Sequence, residues 1–203
     1  MGFLAIGQRT VFEFSKMNVA YTFISNPIAY GVEGGSFDSV TITTDNGKID
    51  SQDGDGVFYF IPDHPGNANL KIWVRTINGI KFTETKRLRV YPLPLPTTKL
   101  AGRHTGELEA AIMRIQIAPS AYLEGFDIEA PARLVKYNVV VIRNNQAVFV
   151  RTHEDSKGCR FDNETRTFFS TLQPGDKVWI NDIHGRWGDS QSGLLDDIFI
   201  KLF

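Results

Sequence analysis

The chain has 203 residues, enough for two domains of ordinary size, each with its own core. It is 42% hydrophobic, 22% charged and 12% aromatic, with a formal net charge of -1, so the chain as a whole has no electrostatic pull toward nucleic acid or an anionic membrane. A single cysteine, Cys159, excludes an internal disulfide.

The start, "MGFLAIGQRTVFEF", carries a short apolar patch without a basic leader or a small-residue cleavage site, so it does not read as a signal peptide. No apolar run approaches the ~20 residues that span a bilayer. Any export address is therefore expected outside this chain, or the chain is a fragment. After this lead-in, alternation of apolar and polar residues dominates, with turn signals between the runs. Strands are predicted at "TVFEF" from Thr10, "MNVAYTF" from Met17, "SVTITT" from Ser39, "GVFYFIP" from Gly56, "ANLKIWVRT" from Ala68 and "IKFTETKRLRVY" from Ile80. Asn46-Gly47 and Asn78-Gly79 are the strongest short hairpin signals. In "NLKIWVRT", Leu70, Ile72 and Val74 share one face, and Lys71, Trp73 and Arg75 the other. Short strands without a convincing helix predict an immunoglobulin-like β-sandwich over residues 1–91, with 1–14 as lead-in and first strand.

"YPLPLPTTKL" follows. Pro92, Pro94 and Pro96 at alternate positions disfavour a central strand and predict a stiff, extended linker over 92–98. The second domain, 99–203, reads as another β-sandwich with one or two short helices. "GELEAAIMR" (Gly106 to Arg114) is rich in helix formers. "RLVKYNVVVIRNNQAVFVRT" reads as two strands about the turn Asn144-Asn145. "DNETRTFFSTLQPGD" predicts a short helix capped by Asp162 or Asn163. "DKVWINDIHGRW" and "LLDDIFIKLF" are closing strands, separated by the loop "GRWGDSQSG". The fold class is all-β: two tandem immunoglobulin-like sandwiches.

Three segments carry a family resemblance. "SKMNVAYTFISNPIAY" resembles the "KMNVLY…DNPV" opening of the periplasmic C-terminal part of GldM-type gliding-motility and type IX secretion proteins of Bacteroidota. "GELEAAIMRIQIAPSAYLEGFDIEAPARLVKYNVVV" is similar to that family's stretch in which a short helix leads to a "FDF…F.V" strand. "LQPGDKVWINDIHGRWGDSQSGLLDDIFIKL" resembles the family's closing "LKPGSKVYFEDIKA…G…LPSISFKI". Their order and spacing extend the likeness over most of residues 15–203. The resemblance implies two consecutive sandwich domains from the distal end of an elongated, dimeric periplasmic shaft. That shaft passes force from a motor in the inner membrane to outer-membrane or periplasmic secretion and gliding partners. The membrane part and earlier shaft domains of the family pattern are not in this sequence.

Candidate chemistry is sparse. Asp50, Asp53 and Asp55 crowd a Gly-rich stretch, but an EF-hand needs carboxylates at positions 1, 3 and 5 and a Glu at 12, whereas these fall at 1, 4 and 6 with Pro62 at 13. A polar turn explains them. His153, Glu154, Asp155, Ser156 and Cys159 are the one cluster that suggests a nucleophile beside a base. A loop between strand and helix is the plainer reading. His64, His104, His153 and His184 lack metal-ligand spacing, and neither "YGVEGGS" nor "HGRWGDSQSG" follows a phosphate-binding pattern. Lys81, Lys86, Arg87 and Arg89 make one strand basic, without the interleaved aromatics that stack on nucleic acid.

No catalytic residue, cofactor or metal is assigned. Trp73, on the polar side of its strand, and Arg186 with Trp187, in a Gly-flanked loop, are the candidate interface residues. The expected role is a non-enzymatic module that pairs with a second copy and with envelope proteins, in the periplasm or cell envelope. The alternative is a carbohydrate- or ligand-binding sandwich, with exposed Trp and Tyr stacking on sugar rings.

Overall fold

The structure is a computed structural model, and it describes residues 10–14, 18–32, 37–51, 57–77, 79, 81–125, 130–155 and 159–203. The chain divides into two compact units, Met1–Leu93 and Pro94–Phe203.

The first unit is built from β1 (Thr10–Phe14), β2 (Val19–Tyr21), β3 (Asn26–Val32), β4 (Phe37–Thr44), β5 (Lys48–Ser51), β6 (Val57–Ile61), β7 (Gly66–Thr76) and β8 (Lys81–Tyr91). These form two four-stranded sheets, ordered β1-β3-β6-β5 and β2-β8-β7-β4. The alternation read from the sequence sets the core. Along β7, Ala68, Leu70, Ile72, Val74 and Thr76 are buried, while the intervening residues are exposed. Ala20, Ile28, Ile42, Phe60, Leu88 and Val90 pack with them in one apolar cluster.

Successive strands mostly change sheets, so the chain turns corners at the end of the sandwich. Two buried asparagines hold these corners. Asn26 opens β3 just after the chain leaves β2. Its Oδ1 accepts from the Tyr21 N–H at 2.9 Å, and its Nδ2 donates to the carbonyls of Tyr21 and Ile24 at 2.9 Å and of Phe60 at 3.0 Å. Asn46 lies between β4 and β5. Its Nδ2 donates to the His64 carbonyl at 2.9 Å, and its Oδ1 accepts from the N–H groups of Asp63 and His64 at 3.2 and 3.3 Å. It thereby ties its own corner to the one between β6 and β7.

The Asn46-Gly47 hairpin expected from the sequence is therefore a sheet-to-sheet corner, since β4 pairs with β7 and β5 with β6. The same local chemistry serves both. Gly47 has φ +82°, and a Cβ there would stand 2.1 Å from the Ile61 carbonyl oxygen. Strands β7 and β8 do form an antiparallel hairpin, closed by Gly79 N–H donating to the Thr76 carbonyl. Asn78, like Asp53 and Asp55, lies outside the described residues.

The second unit contains β9 (Thr97–Lys99), β10 (Thr105–Leu108), α1 (Ala110–Arg114), β11 (Ser120–Tyr122), β12 (Ala132–Arg143), β13 (Gln146–Glu154), α2 (Asn163–Phe169), β14 (Lys177–Trp187), β15 (Gln191–Leu195) and β16 (Ile198–Leu202). A six-stranded sheet runs β10-β16-β14-β12-β13, with β15 also on β14, and β9 pairs with β11 in a small second sheet. Asn144 and Asn145 both take positive φ, 51° and 61°, as the tight turn of the β12–β13 hairpin requires. Leu134 and Tyr137 both face inward despite their odd spacing, because the β12–β14 register shifts on either side of Lys136. Phe161 meets Tyr137 edge-on at 6.0 Å and Phe169 at 5.0 Å, which seats α2 against the sheet.

The helix expected over Gly106 to Arg114 is shorter. Thr105–Leu108 pairs in parallel with β16, and only Ala110–Arg114 is helical. Backbone pairing at the sheet edge outweighs the helix propensity of Glu107 and Leu108. The helix read at "DNETRTFF" forms as α2, with Asp162 as its N-cap. Trp187 ends strand β14 rather than lying in a loop. Few helices and many paired strands make the fold all-β, consistent with immunoglobulin-like sandwiches.

Replacing Asn26 by Ala should cost about 3 kcal/mol, because it strands buried backbone groups of three segments at once. Asn26→Asp should cost more, since a carboxylate there faces carbonyl oxygens. Urea denaturation of the full chain decides it, and stability within about 1 kcal/mol of the parent would show that the corner does not depend on this side chain.

Candidate interaction surfaces

The histidine–cysteine cluster is a packed core edge. His153 is buried, with Nε2 3.0 Å from Thr165 Oγ1 and its ring 5.1 Å from that of Tyr137. Burial lowers its imidazole pKa. Cys159 is also buried, with Sγ directed to the Asp155 carbonyl at 3.8 Å, and burial raises its thiol pKa. A catalytic thiolate requires the opposite shift. Ser156 lies outside the described residues. His184 and Lys136 flank the Asp182 carboxylate at 3.0 and 2.9 Å. Among the described residues no group of three or more His, Cys, Asp or Glu is placed to hold a metal ion.

The remaining charges of the second unit are largely paired. Arg143 grips Asp176 through Nε–Oδ1 at 2.8 Å and Nη2–Oδ2 at 2.7 Å, and Asp176 also accepts the Gln173 N–H. Arg151 spans Asp162 and Glu164, each at 2.8 Å, and Lys201 meets Glu107 at 2.8 Å. Asp162 receives the Thr165 N–H at 2.8 Å, and chiefly for that reason, with Arg151 assisting, its pKa falls to about 2.

Trp73 lies at the surface, 37% exposed, on the outward face of β7 with the Lys71 ammonium 5.0 Å from its ring centroid. On β8 the alternation leaves Lys81, Thr83, Thr85, Arg87 and Arg89 exposed, so the basic strand face is present. Trp187 differs from the expectation. It is only 5% exposed and points inward from the end of β14, with its ring over Gly193. Its indole N–H has no partner among the described residues. Its neighbour Arg186 is exposed and lines a cleft of 390 Å³ with Pro131, Arg133, Gly188, Asp189, Ser190, Gln191 and Ser192.

A further surface escaped the sequence reading. On the outer face of the six-stranded sheet, Val150, Val140, Trp179 and Phe199 stand opposite one another across β13, β12, β14 and β16. Val150 is 64% exposed, Phe199 41% and Trp179 37%. The Trp179 indole N–H donates to Asp197 Oδ2 at 3.1 Å, which fixes the ring in the row. Alternation alone marks these residues as outward, but only the strand register shows that they line up.

Two stability outcomes follow. Trp187→Phe loses ring volume but no hydrogen bond and should cost about 1–2 kcal/mol, whereas Trp187→Ala should cost about 3–5 kcal/mol. Equal losses in chemical denaturation would contradict this packing. For Asp162 the folded pKa is depressed, so its contribution is full above the ordinary carboxylate value of 3.8 and is lost as pH falls toward about 2. Acid unfolding of Asp162→Asn should therefore show a shallower loss across that window. An unchanged slope would remove Asp162 from the account.

Comparison with known proteins gives a family for the second unit. Residues 94–192 match the family model described as the GldM C-terminal domain. No curated protein matches the chain. Solved structures that align with the chain include fibronectin(III)-like modules of Clostridium thermocellum CbhA, at 12% identity and a TM-score of 0.32 over 96% of this chain and 94% of that one. A Bacteroides ovatus SGBP-B from a mixed-linkage glucan utilization locus, solved with a mixed-linkage heptasaccharide, aligns at 14% identity and a TM-score of 0.30 over 90% of this chain and 42% of that one. The Yersinia pseudotuberculosis adhesin InvE aligns at 11% and 0.29 over 96% and 58%. Likenesses this distant say nothing of binding or activity. The family match spans residues 94–192, nearly the whole of the second unit, and supports a GldM-type C-terminal domain there.

Proposed function

We propose that this chain is a non-enzymatic structural and interaction module of the bacterial cell envelope. In this reading it serves as a distal part of a GldM-type shaft, pairs with a second copy, and hands force to secretion and gliding proteins of the periplasm or outer membrane. The observation that carries it is the match to the GldM C-terminal domain on a unit bearing an aligned apolar row, Val150, Val140, Trp179 and Phe199, across the outer face of its main sheet. Exposed aromatic and β-branched side chains in register are what a partner sheet or segment buries. Asn138 donates to Asn181 at 3.2 Å and accepts from Thr152 at 2.7 Å in the next row, a polar border beside the apolar one. Among the described residues no helix is long and apolar enough to cross a membrane.

Trp73 supports the second reading, a ligand-binding sandwich, because its ring is exposed on the outward face of β7. A glycan array hit lost in Trp73→Ala would favour that reading.

The test uses the full chain and the double variant Val150→Ser/Trp179→Ser. Sedimentation should show self-association or co-sedimentation with an envelope protein for the parent, weakened about tenfold or more in the variant at unchanged secondary structure. In cells, the variant should slow gliding or secretion at equal protein level. A parent that stays monomeric and captures no envelope protein, or a variant with undiminished binding, would sink the proposal.

A further inference from the structure

Most lysines and arginines of the six-stranded sheet meet a side-chain acceptor among the described residues, and two do not. Lys136 sits on Asp182, Arg143 on Asp176, Arg151 on Asp162 and Glu164, and Lys201 on Glu107. Lys177 reaches the Asn145 side-chain oxygen at 3.4 Å. Arg133 and Arg186 have no such partner among the described residues. They are also direct cross-strand neighbours in the β12–β14 ladder, and Ser192 is the next residue across, on β15. Residues opposite one another in antiparallel strands project on the same face with Cβ atoms about 5 Å apart, and like charges so placed repel. Two guanidiniums are thus held side by side where the fold alone would favour a salt bridge.

They are not on an open plain. Both line the 390 Å³ cleft, whose other walls are Pro131, the turn Gly188–Ser190, Gln191 and Ser192. The turn is held against β12 by Gly188 N–H donating to the Pro131 carbonyl at 3.1 Å. Gly188 itself has φ +58°, so the tight return that carries the chain from Arg186 on β14 back to Ser192 on β15 has a backbone reason. Asp189 lies in the same wall without an ion pair to either arginine.

We infer that this cleft is a binding site for a carboxylate group, gripped by Arg133 and Arg186 and hydrogen-bonded by the hydroxyls of Ser190 and Ser192. Guanidinium forks match a carboxylate in plane and spacing, and two of them can engage both oxygens. Among the described residues, two arginines against one aspartate leave a single net positive charge on the lining, which suits a monoanion better than a phosphate dianion. The space exceeds that of a bare ion and admits the residue or sugar ring that bears the group. The site would operate whether or not the chain pairs with a second copy.

The experiment is a ¹⁵N NMR titration of the full chain, following the arginine Nε–H and cleft backbone signals at fixed ionic strength. Its probes are N-acetylglutamate amide for a peptide source, glucuronic acid for a sugar source, and inorganic phosphate and chloride as other anions. At least one carboxylate should shift signals of Arg133, Arg186 and residues 188–192 in a saturable way, and Arg133→Gln or Arg186→Gln should weaken it about tenfold. Which carboxylate binds more tightly assigns the source. The same variants should melt at an equal or higher temperature than the parent in low salt, because each relieves the like-charge pair. A merely structural arginine would lower it. Equal responses to chloride and carboxylate, tighter binding of phosphate, or binding unchanged in both variants would overturn the assignment.

Discussion

The structure rests on a constraint at the corners of the first sandwich: backbone groups that leave one sheet before entering the next must still be hydrogen-bonded, though they lie against the core. An unpaired buried amide costs as much as a good contact contributes. Asn26 and Asn46 meet that demand because a primary amide presents a donor and an acceptor on a short stem, copying the peptide group it replaces. Each gathers several backbone groups from segments distant in sequence, Asn26 reaching Phe60 and Asn46 reaching Asp63 and His64. Thr22 does similar work, its buried hydroxyl accepting the Leu93 N–H at 3.2 Å. Once these corners are fixed, the facing rows of Leu70, Ile72, Val74 and Ile28, Phe60 have only one way to meet.

The second unit meets the same demand with charge. Its sheet has register shifts on β12 and two short helices beside it, so the groups to be satisfied cluster where segments end. Asp162 caps α2 and holds Arg151, and Asp176 collects the Gln173 N–H while it grips Arg143 from the end of β12. These carboxylates act through ordinary capping and pairing. Their depressed pKa values report architecture here, since neither opens onto a cleft with a partner base. The same logic disposes of His153 and Cys159, whose titration is moved by burial rather than by each other.

Much of this was legible in the sequence, for a physical reason: period-two alternation is a local property, and so is the positive φ that Asn144-Asn145 must supply. Strand faces, the β12–β13 hairpin, the Asp162 cap and the basic face of β8 follow from neighbours alone. What depends on register does not. Asn46-Gly47 carries the same turn chemistry whether the strands beside it pair with each other or with two different sheets, and only long-range pairing decides. Trp187 looks exposed among glycines, yet those glycines are what admit it: a Cβ on Gly193 would stand 3.4 Å from its ring. Arg133 and Arg186, and the row of Val150, Val140, Trp179 and Phe199, are scattered in sequence and become sites only when the ladders align them.

That dependence on register bears on what such a module can do. A flat, paired sheet is stiff along its strands, because each backbone group is already committed to a neighbour, so its outer face can be rewritten without loosening the core beneath. On the second unit that face holds an apolar row and a polar row side by side, and beyond them a cleft where two arginines meet. An exposed Trp–Phe–Val line is an aggregation hazard unless something limits what can cover it. Here Asp197 pins the indole, and Lys201 with Glu107 and the Asn138–Asn181 pair border the row with groups that a nonspecific apolar surface would leave unsatisfied. A partner must therefore match polar positions as well as apolar ones, which favours recognition over adhesion. In the proposed role, force carried through such a contact would pass into ladder hydrogen bonds loaded together rather than singly.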